Sequence, residues 1–189
     1  MIISISGKPG SGKSTVAQML SEKLGIKRYY MGGIRREMAK EKGMTIEEFN
    51  ELGEKDFSTD KWVDDYQAEL GKKEDNFVIE GRTSFHFIPR SIKVFLDVSE
   101  DEGARRIFEE LGTAKGQKRN EGKKIKNIPE MKKSLKERQE SDKKRYRKYY
   151  GFDSTDLKHF DIVIDTTKLD PERVRDKIIA FSRGQEKQE

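Results

Sequence analysis

The 189-residue chain predicts an α/β fold, a parallel sheet covered by helices on both faces, from two observations. Short apolar runs alternate with helix-period stretches from end to end, the pattern of strands joined by crossover helices. A glycine-rich pattern, Gly7-Lys-Pro-Gly-Ser-Gly12-Lys13-Ser14, falls between the first strand and the first helix. In such sheets ligands belong at the carboxyl ends of the strands.

The elements follow in order. Met1–Ser6 (MIISIS) reads as a short buried strand, and Lys13–Leu24 as a helix with Val16, Met19, Leu20 and Leu24 on one face. Lys27–Met31 is a second strand, and Gly33–Lys42 looks helical. Thr45-Ile-Glu-Glu48 has the spacing of a capping box that opens a short helix. A further helix, Thr59–Leu70, carries Trp62, Val63, Tyr66 and Leu70. Asn76–Glu80 (NFVIE) and Ile92–Leu96 (IKVFL) are the third and fourth strands. Ser99-Glu-Asp-Glu102 is a second capping box, starting a helix to about Leu111. Residues 112–128 hold three glycines and many lysines without periodicity, and read as a mobile loop. A long polar helix, about Pro129–Tyr149, is closed by Gly151. Asp161–Asp165 (DIVID) is the fifth strand. Asp170-Pro171 supplies an N-cap and a first-turn proline to a last helix that buries Val174, Ile178 and Phe181, and the tail GQEKQE is expected to fray.

Composition narrows the chemistry. Charged residues make up 40% and hydrophobic residues 32%, against about 25% charged in an average domain. The core is therefore modest and the polar surface large. No apolar run is long enough to span a membrane. The start, MIISISGKPGSGKS, lacks the features of a secretory signal, so a cytoplasmic location is expected. There is no cysteine, which excludes disulfides, thiolate catalysis and cysteine-based zinc sites. The two histidines, His86 and His159, are too far apart to suggest a local metal motif. Any metal is expected to be Mg²⁺ on oxygen ligands and phosphate. Residues 115–148 carry 15 Lys+Arg against 5 Asp+Glu, on a chain whose net charge is +5. Such a basic segment on an acidic body suits a polyanion, nucleic acid or nucleotide phosphates, or else is a solvated helix face.

The glycine-rich pattern matches G-x-x-x-x-G-K-[ST], a phosphate loop, and chance produces it in a chain this long about one time in a hundred at ordinary glycine frequency. Gly7, Lys8, Pro9, Gly10, Ser11, Gly12, Lys13, Ser14 and Thr15 form the candidate cradle. Glycines let backbone amides face a β-phosphate, Lys13 brings positive charge to the β- and γ-phosphates, and Ser14 offers a hydroxyl to Mg²⁺. This implies nucleoside triphosphate binding and leaves the reaction open. A GTPase switch also needs a D-x-x-G, which the chain lacks. Thr167-Lys-Leu-Asp170 resembles the second GTPase motif, but Asp170 is already accounted for as an N-cap. Glu80 ends the neighbouring buried strand and could serve the metal through water.

The acceptor decides what else is needed. A phosphate acceptor is already anionic and needs arginines to hold it beside another anion, whereas a hydroxyl acceptor needs a carboxylate base. Arg82 follows Glu80-Gly81 at a strand end, and Arg36 lies one turn into the helix after the second strand. Arg138, Asp142 and Arg145 share one helical face at spacings of four and three, as a phosphate-facing set or as an intrahelical salt-bridge ladder. Glu80 as a base is the feature favouring a hydroxyl acceptor, a nucleoside or an RNA 5′ end. A nucleic-acid-binding NTPase is the third reading, although no aromatic-interleaved basic motif supports it.

Six segments together resemble the cytidylate kinase family in its compact archaeal-type form: ISGKPGSGKSTVAQML, GGIRREMAKEKGMTIEEF, ELGEKDFSTDKWVDD, VIEGRTSFHF, RQESDKKRYRKYYGFD and FDIVIDTTKLDPERV. The likeness covers about residues 2–181 and is weakest at 108–130. It implies a P-loop kinase fold with strand order 2-3-1-4-5, and transfer of the γ-phosphoryl of ATP, with Mg²⁺, to CMP or dCMP. By the same resemblance Lys13 serves the transferring phosphoryl and Ser14 the metal. Arg36 and Arg82 hold the acceptor phosphate, Arg138 and Asp142 contact its ribose, and Arg145 reaches the phosphates. One domain, 1–189, is implied, with an acceptor lobe at about 33–72 and a lid at about 103–128, acting as a monomer. The chain departs from the family at Tyr30 and Met31, where a serine is usual, at Gly33 in place of an acid, and at Arg35 in place of an aromatic residue. The lid pattern R-I-x-x-R-E loses its second arginine in Arg106-Ile-Phe-Glu-Glu-Leu111, leaving Arg105, Arg106 and Arg119 as substitutes.

Overall fold

The computed structural model describes residues 1–113, 116 and 125–186. Five parallel strands form one sheet in the order β2-β3-β1-β4-β5. They are β1 (Ile2–Gly7), β2 (Lys27–Tyr30), β3 (Phe77–Glu80), β4 (Ile92–Asp97) and β5 (Ile162–Asp165). Connecting them are α1 (Lys13–Leu24), α2 (Met31–Glu41), α3 (Ile46–Lys55), α4 (Ser58–Lys73), α5 (Ser84–Phe87), α6 (Glu100–Leu111), α7 (Ile128–Tyr150) and α8 (Pro171–Glu186).

Strand alternation sorts the core into two layers, because successive side chains point to opposite faces. Ile3, Ile5, Val78, Val94, Leu96 and Ile164 face α1 and α8, meeting Val16, Ala17, Leu20, Val174 and Ile178. Ile2, Phe77 and Ile79 face the other way, onto Met31, Val63, Leu70 and Ile88. Each such aliphatic or aromatic side chain taken out of water contributes roughly 1.5–3 kcal/mol. A third cluster, Ala104, Ile107, Met131 and Leu135, joins α6 to α7.

Local expectations meet the structure in detail. Thr45 and Glu48 form the full reciprocal capping box. At α6 only half of it forms: Ser99 accepts from the Glu102 amide, while the Glu102 carboxylate turns to Arg105 and Arg106. Two nearby guanidinium groups outcompete one backbone N–H. Asp170 caps α8 through the Arg173 amide at 2.8 Å, as expected. Phe181 is only half-buried, and Ile179 takes its place in the core. The helix continues through Glu186, into the tail expected to fray from Gly184 onward. Of the expected mobile loop and lid, residues 114, 115 and 117–124, including Arg119, lie outside the described residues.

Candidate active site

The loop after β1 runs along the carboxyl edge of the sheet into α1. Gly7 and Gly10 have φ of 147° and 78°, and a Cβ on Gly10 would lie 2.3 Å from the Gly103 carbonyl oxygen. Only glycine permits that approach to the first turn of α6. Lys13 folds back over the loop, its ammonium donating to the carbonyls of Gly7 (2.8 Å) and Lys8 (2.7 Å). Ser14 donates to Glu80 Oε2 at 2.6 Å. Glu80 is buried, and Arg28 of β2 holds its other oxygen. Hydroxyl and carboxylate thus sit side by side at the head of α1, an oxygen-only pair that suits Mg²⁺ completed by phosphate oxygens. With one oxygen on Ser14 and the other on Arg28, Glu80 is poorly set to act as a general base.

On the acceptor side, a buried chain of alternating charges crosses three helices and a strand end. Arg35 of α2 binds Asp60 of α4 at 2.7 Å, and Asn50 and the Thr59 carbonyl. Asp60 receives Arg145 of α7 on both oxygens, at 2.6 and 2.7 Å. Arg145 then pairs with Asp142 on its own helix, and Asp142 pairs with Arg82 after β3. Burial lowers the Arg82 pKa to about 10, and the neighbouring guanidiniums of Arg145, Arg36 and Arg35 add to the effect. It stays cationic at neutral pH. Arg36 is buried at the start of α2 and donates to the Tyr30 hydroxyl and, at 3.0 Å, to the Gly32 carbonyl.

The family resemblance puts Arg145 on the phosphates. In the structure its side chain lies fully out of solvent, between Asp60 and Asp142. The Asp142–Arg145 rung of the intrahelical ladder is therefore present but buried, and extended by a carboxylate from another helix. Arg138 is half-buried one turn before Asp142. Asp64, which sequence reasoning missed, lies one turn after Asp60. It accepts from Thr83 and Gln67, both at 2.9 Å, and from the Tyr150 hydroxyl. Burial raises its pKa to about 6, against those hydrogen bonds. Asp60, Asp64 and Gln67 occupy one helical stripe of α4, a polar row at core spacing that could have signalled a buried network.

The two halves meet in one cleft, lined by Gly7, Lys8, Pro9, Arg82, Gln139 and Asp142 among others. Of the candidate lid arginines, Arg106 reaches the loop, donating to the carbonyls of Gly10 (3.3 Å) and Thr166 (2.9 Å). Arg105 is exposed and tied to Glu102 and Glu109. Several cations of the basic segment are likewise paired: Lys132 with Glu100 and Asp101, and Lys143 and Arg147 with Asp153.

Known proteins resemble this chain in sequence and in fold. A profile of the cytidylate kinase-like family matches residues 2–168. Cytidylate kinase of Methanobrevibacter smithii is 36% identical, over 92% of this chain and 94% of its own. That of Archaeoglobus fulgidus is 34% identical, over 95% and 93%. Among solved structures, an uncharacterized protein from Eubacterium ventriosum superposes with a TM-score of 0.68 at 22% identity, covering 96% of this chain and 97% of that one. Shikimate kinase of Bacteroides thetaiotaomicron gives 0.64 at 16% identity, covering 97% and 98%. The sheet order, the phosphate loop and the match along most of the chain agree: the chain is a P-loop kinase and belongs to the cytidylate kinase-like family.

Proposed function

We propose that the protein transfers the γ-phosphoryl group of MgATP to the phosphate of CMP or dCMP. The single observation that carries this reading is the shared cleft, which sets loop residues Gly7, Lys8 and Pro9 opposite Arg82 and Asp142. An acceptor phosphate oxygen attacks the γ-phosphorus, the bond to the β–γ bridging oxygen breaks, and two diphosphates leave. The acceptor is already an anion, so no general base is needed, in keeping with Glu80 being held by Ser14 and Arg28. Catalysis then rests on positioning and charge neutralisation.

In this reading the loop Gly7, Lys8, Pro9, Gly10, Ser11, Gly12, Lys13, Ser14 and Thr15 cradles the donor phosphates through the backbone N–H groups that face it, and the Lys13 ammonium swings from the loop carbonyls onto the γ-phosphate. Pro9, whose ring nitrogen carries no proton, serves by fixing the turn. Ser14 and Glu80 hold Mg²⁺, whose charge neutralises the phosphate oxygens when bound. Arg36 and Arg82 hold the acceptor phosphate, and Arg138 and Asp142 its sugar. Arg145 acts through Asp142 as a positioning residue. Residues 33–72 form the acceptor lobe and about 103–128 the lid. A panel of nucleoside monophosphates with MgATP tests the assignment by product diphosphate. CDP or dCDP is expected, with loss of about 10³-fold in rate for Lys13→Ala. Transfer to nucleosides or RNA 5′ ends alone would instead support the hydroxyl-acceptor reading.

A further inference from the structure

Tyr30 ends β2 in register with Glu80, at the carboxyl edge of the sheet, and Arg82 follows two residues after that register partner. It is 37% exposed, unusual for an aromatic ring beside buried charges. The ring lies across the first turn of α2, where a Cβ on Gly33 would sit 2.7 Å from ring Cδ1 and one on Gly32 2.9 Å from Cε2. The guanidinium carbons of Arg28 and Arg36 stand 5.5 and 5.7 Å from its centroid, within cation–π range. The two glycines and two arginines thus seat the ring in one place.

Its hydroxyl group is half used. The phenol oxygen accepts from Arg36. A phenol also has one proton to give, and among the described residues the Tyr30 proton has no acceptor. The N–H of a cation on the oxygen polarises the O–H and makes it a better donor. An anion drawn to Arg36, which already holds the phenol oxygen, would supply that acceptor.

We propose that Tyr30 is a ligand of the acceptor phosphate, donating its phenolic proton to a phosphate oxygen held by Arg36 and Arg82. The proposal rests on the acceptor site argued above. The exposed ring then fixes the distance from β2 to the acceptor, and Gly33 is the residue that makes room for it.

The test is titration of CMP and of cytidine into the wild-type protein and Tyr30→Phe, which keeps the ring and removes only the hydroxyl. A lost hydrogen bond to a charged group weakens CMP by about tenfold to a hundredfold, with cytidine binding and the KM for ATP unchanged. Three results overturn the inference: unchanged CMP affinity, tighter CMP binding (the phenol then merely occupies Arg36), or equal loss for CMP and cytidine (a structural role). If wild-type protein binds no nucleoside monophosphate, the acceptor site itself fails, and the proposal with it.

Discussion

The phosphate loop draws its ligands from nine consecutive residues, whereas the acceptor side gathers its charges from four separate segments. Arg35 and Arg36 come from α2, Asp60 and Asp64 from α4, Arg82 from the turn after β3, and Asp142 and Arg145 from α7. On the proposed reading the loop binds mainly through backbone amides, which any well-formed strand-to-helix turn presents. The proposed acceptor side would bind through side-chain charges, which are buried and must be neutralised by one another before substrate arrives. Alternation of sign along Arg35, Asp60, Arg145, Asp142 and Arg82 does this. On that reading donor binding is a local property, while acceptor binding is tied to the packing of α2, α4 and α7.

That difference can be broken most sharply at Asp60. Asp60→Ala leaves two buried guanidiniums, Arg35 and Arg145, without their shared carboxylate. Removing one partner of a buried pair costs about 3–5 kcal/mol. Urea unfolding is expected to show a loss of that size. A loss below about 1 kcal/mol would place the pair among ordinary surface contacts.

A smaller effect, visible in pH, comes from Asp64. Its folded pKa of about 6 lies above the unfolded 3.8. The folded protein therefore binds the proton more tightly, and this group adds stability as pH falls through 6. From pH 7 to pH 5 the gain is roughly 1 kcal/mol. Asp64→Asn is expected to remove that part of the profile, read as the difference in unfolding free energy between the two proteins across the same range. Parallel profiles would contradict it.

The same contrast explains what the sequence made legible. Strand and helix placement, the sheet's parallel character and the whole phosphate loop follow from local pattern. So does the Asp170 cap, because its partner is three residues away. Arg36, Arg82 and Asp142 stand out as candidates in the sequence, but their partners do not. The Arg145–Asp60 pair spans 85 residues, and no helical spacing rule reaches that far. The spacing of Arg145 leaves open a phosphate-facing side chain or a ladder, because its burial beside Asp60 depends on α4, which the sequence of α7 does not report. Arg28 is inconspicuous for the same reason: its importance lies in Glu80, on the neighbouring strand.

The separation of the two sites is tested most directly by Arg82→Ala, with calorimetric titration of CMP and of a non-hydrolysable ATP analogue. CMP binding is expected to weaken by about a hundredfold and the analogue by less than about twofold, the scale of losing one hydrogen-bonded charge at one site only. Unchanged CMP affinity, or equal loss of both ligands, would contradict the account.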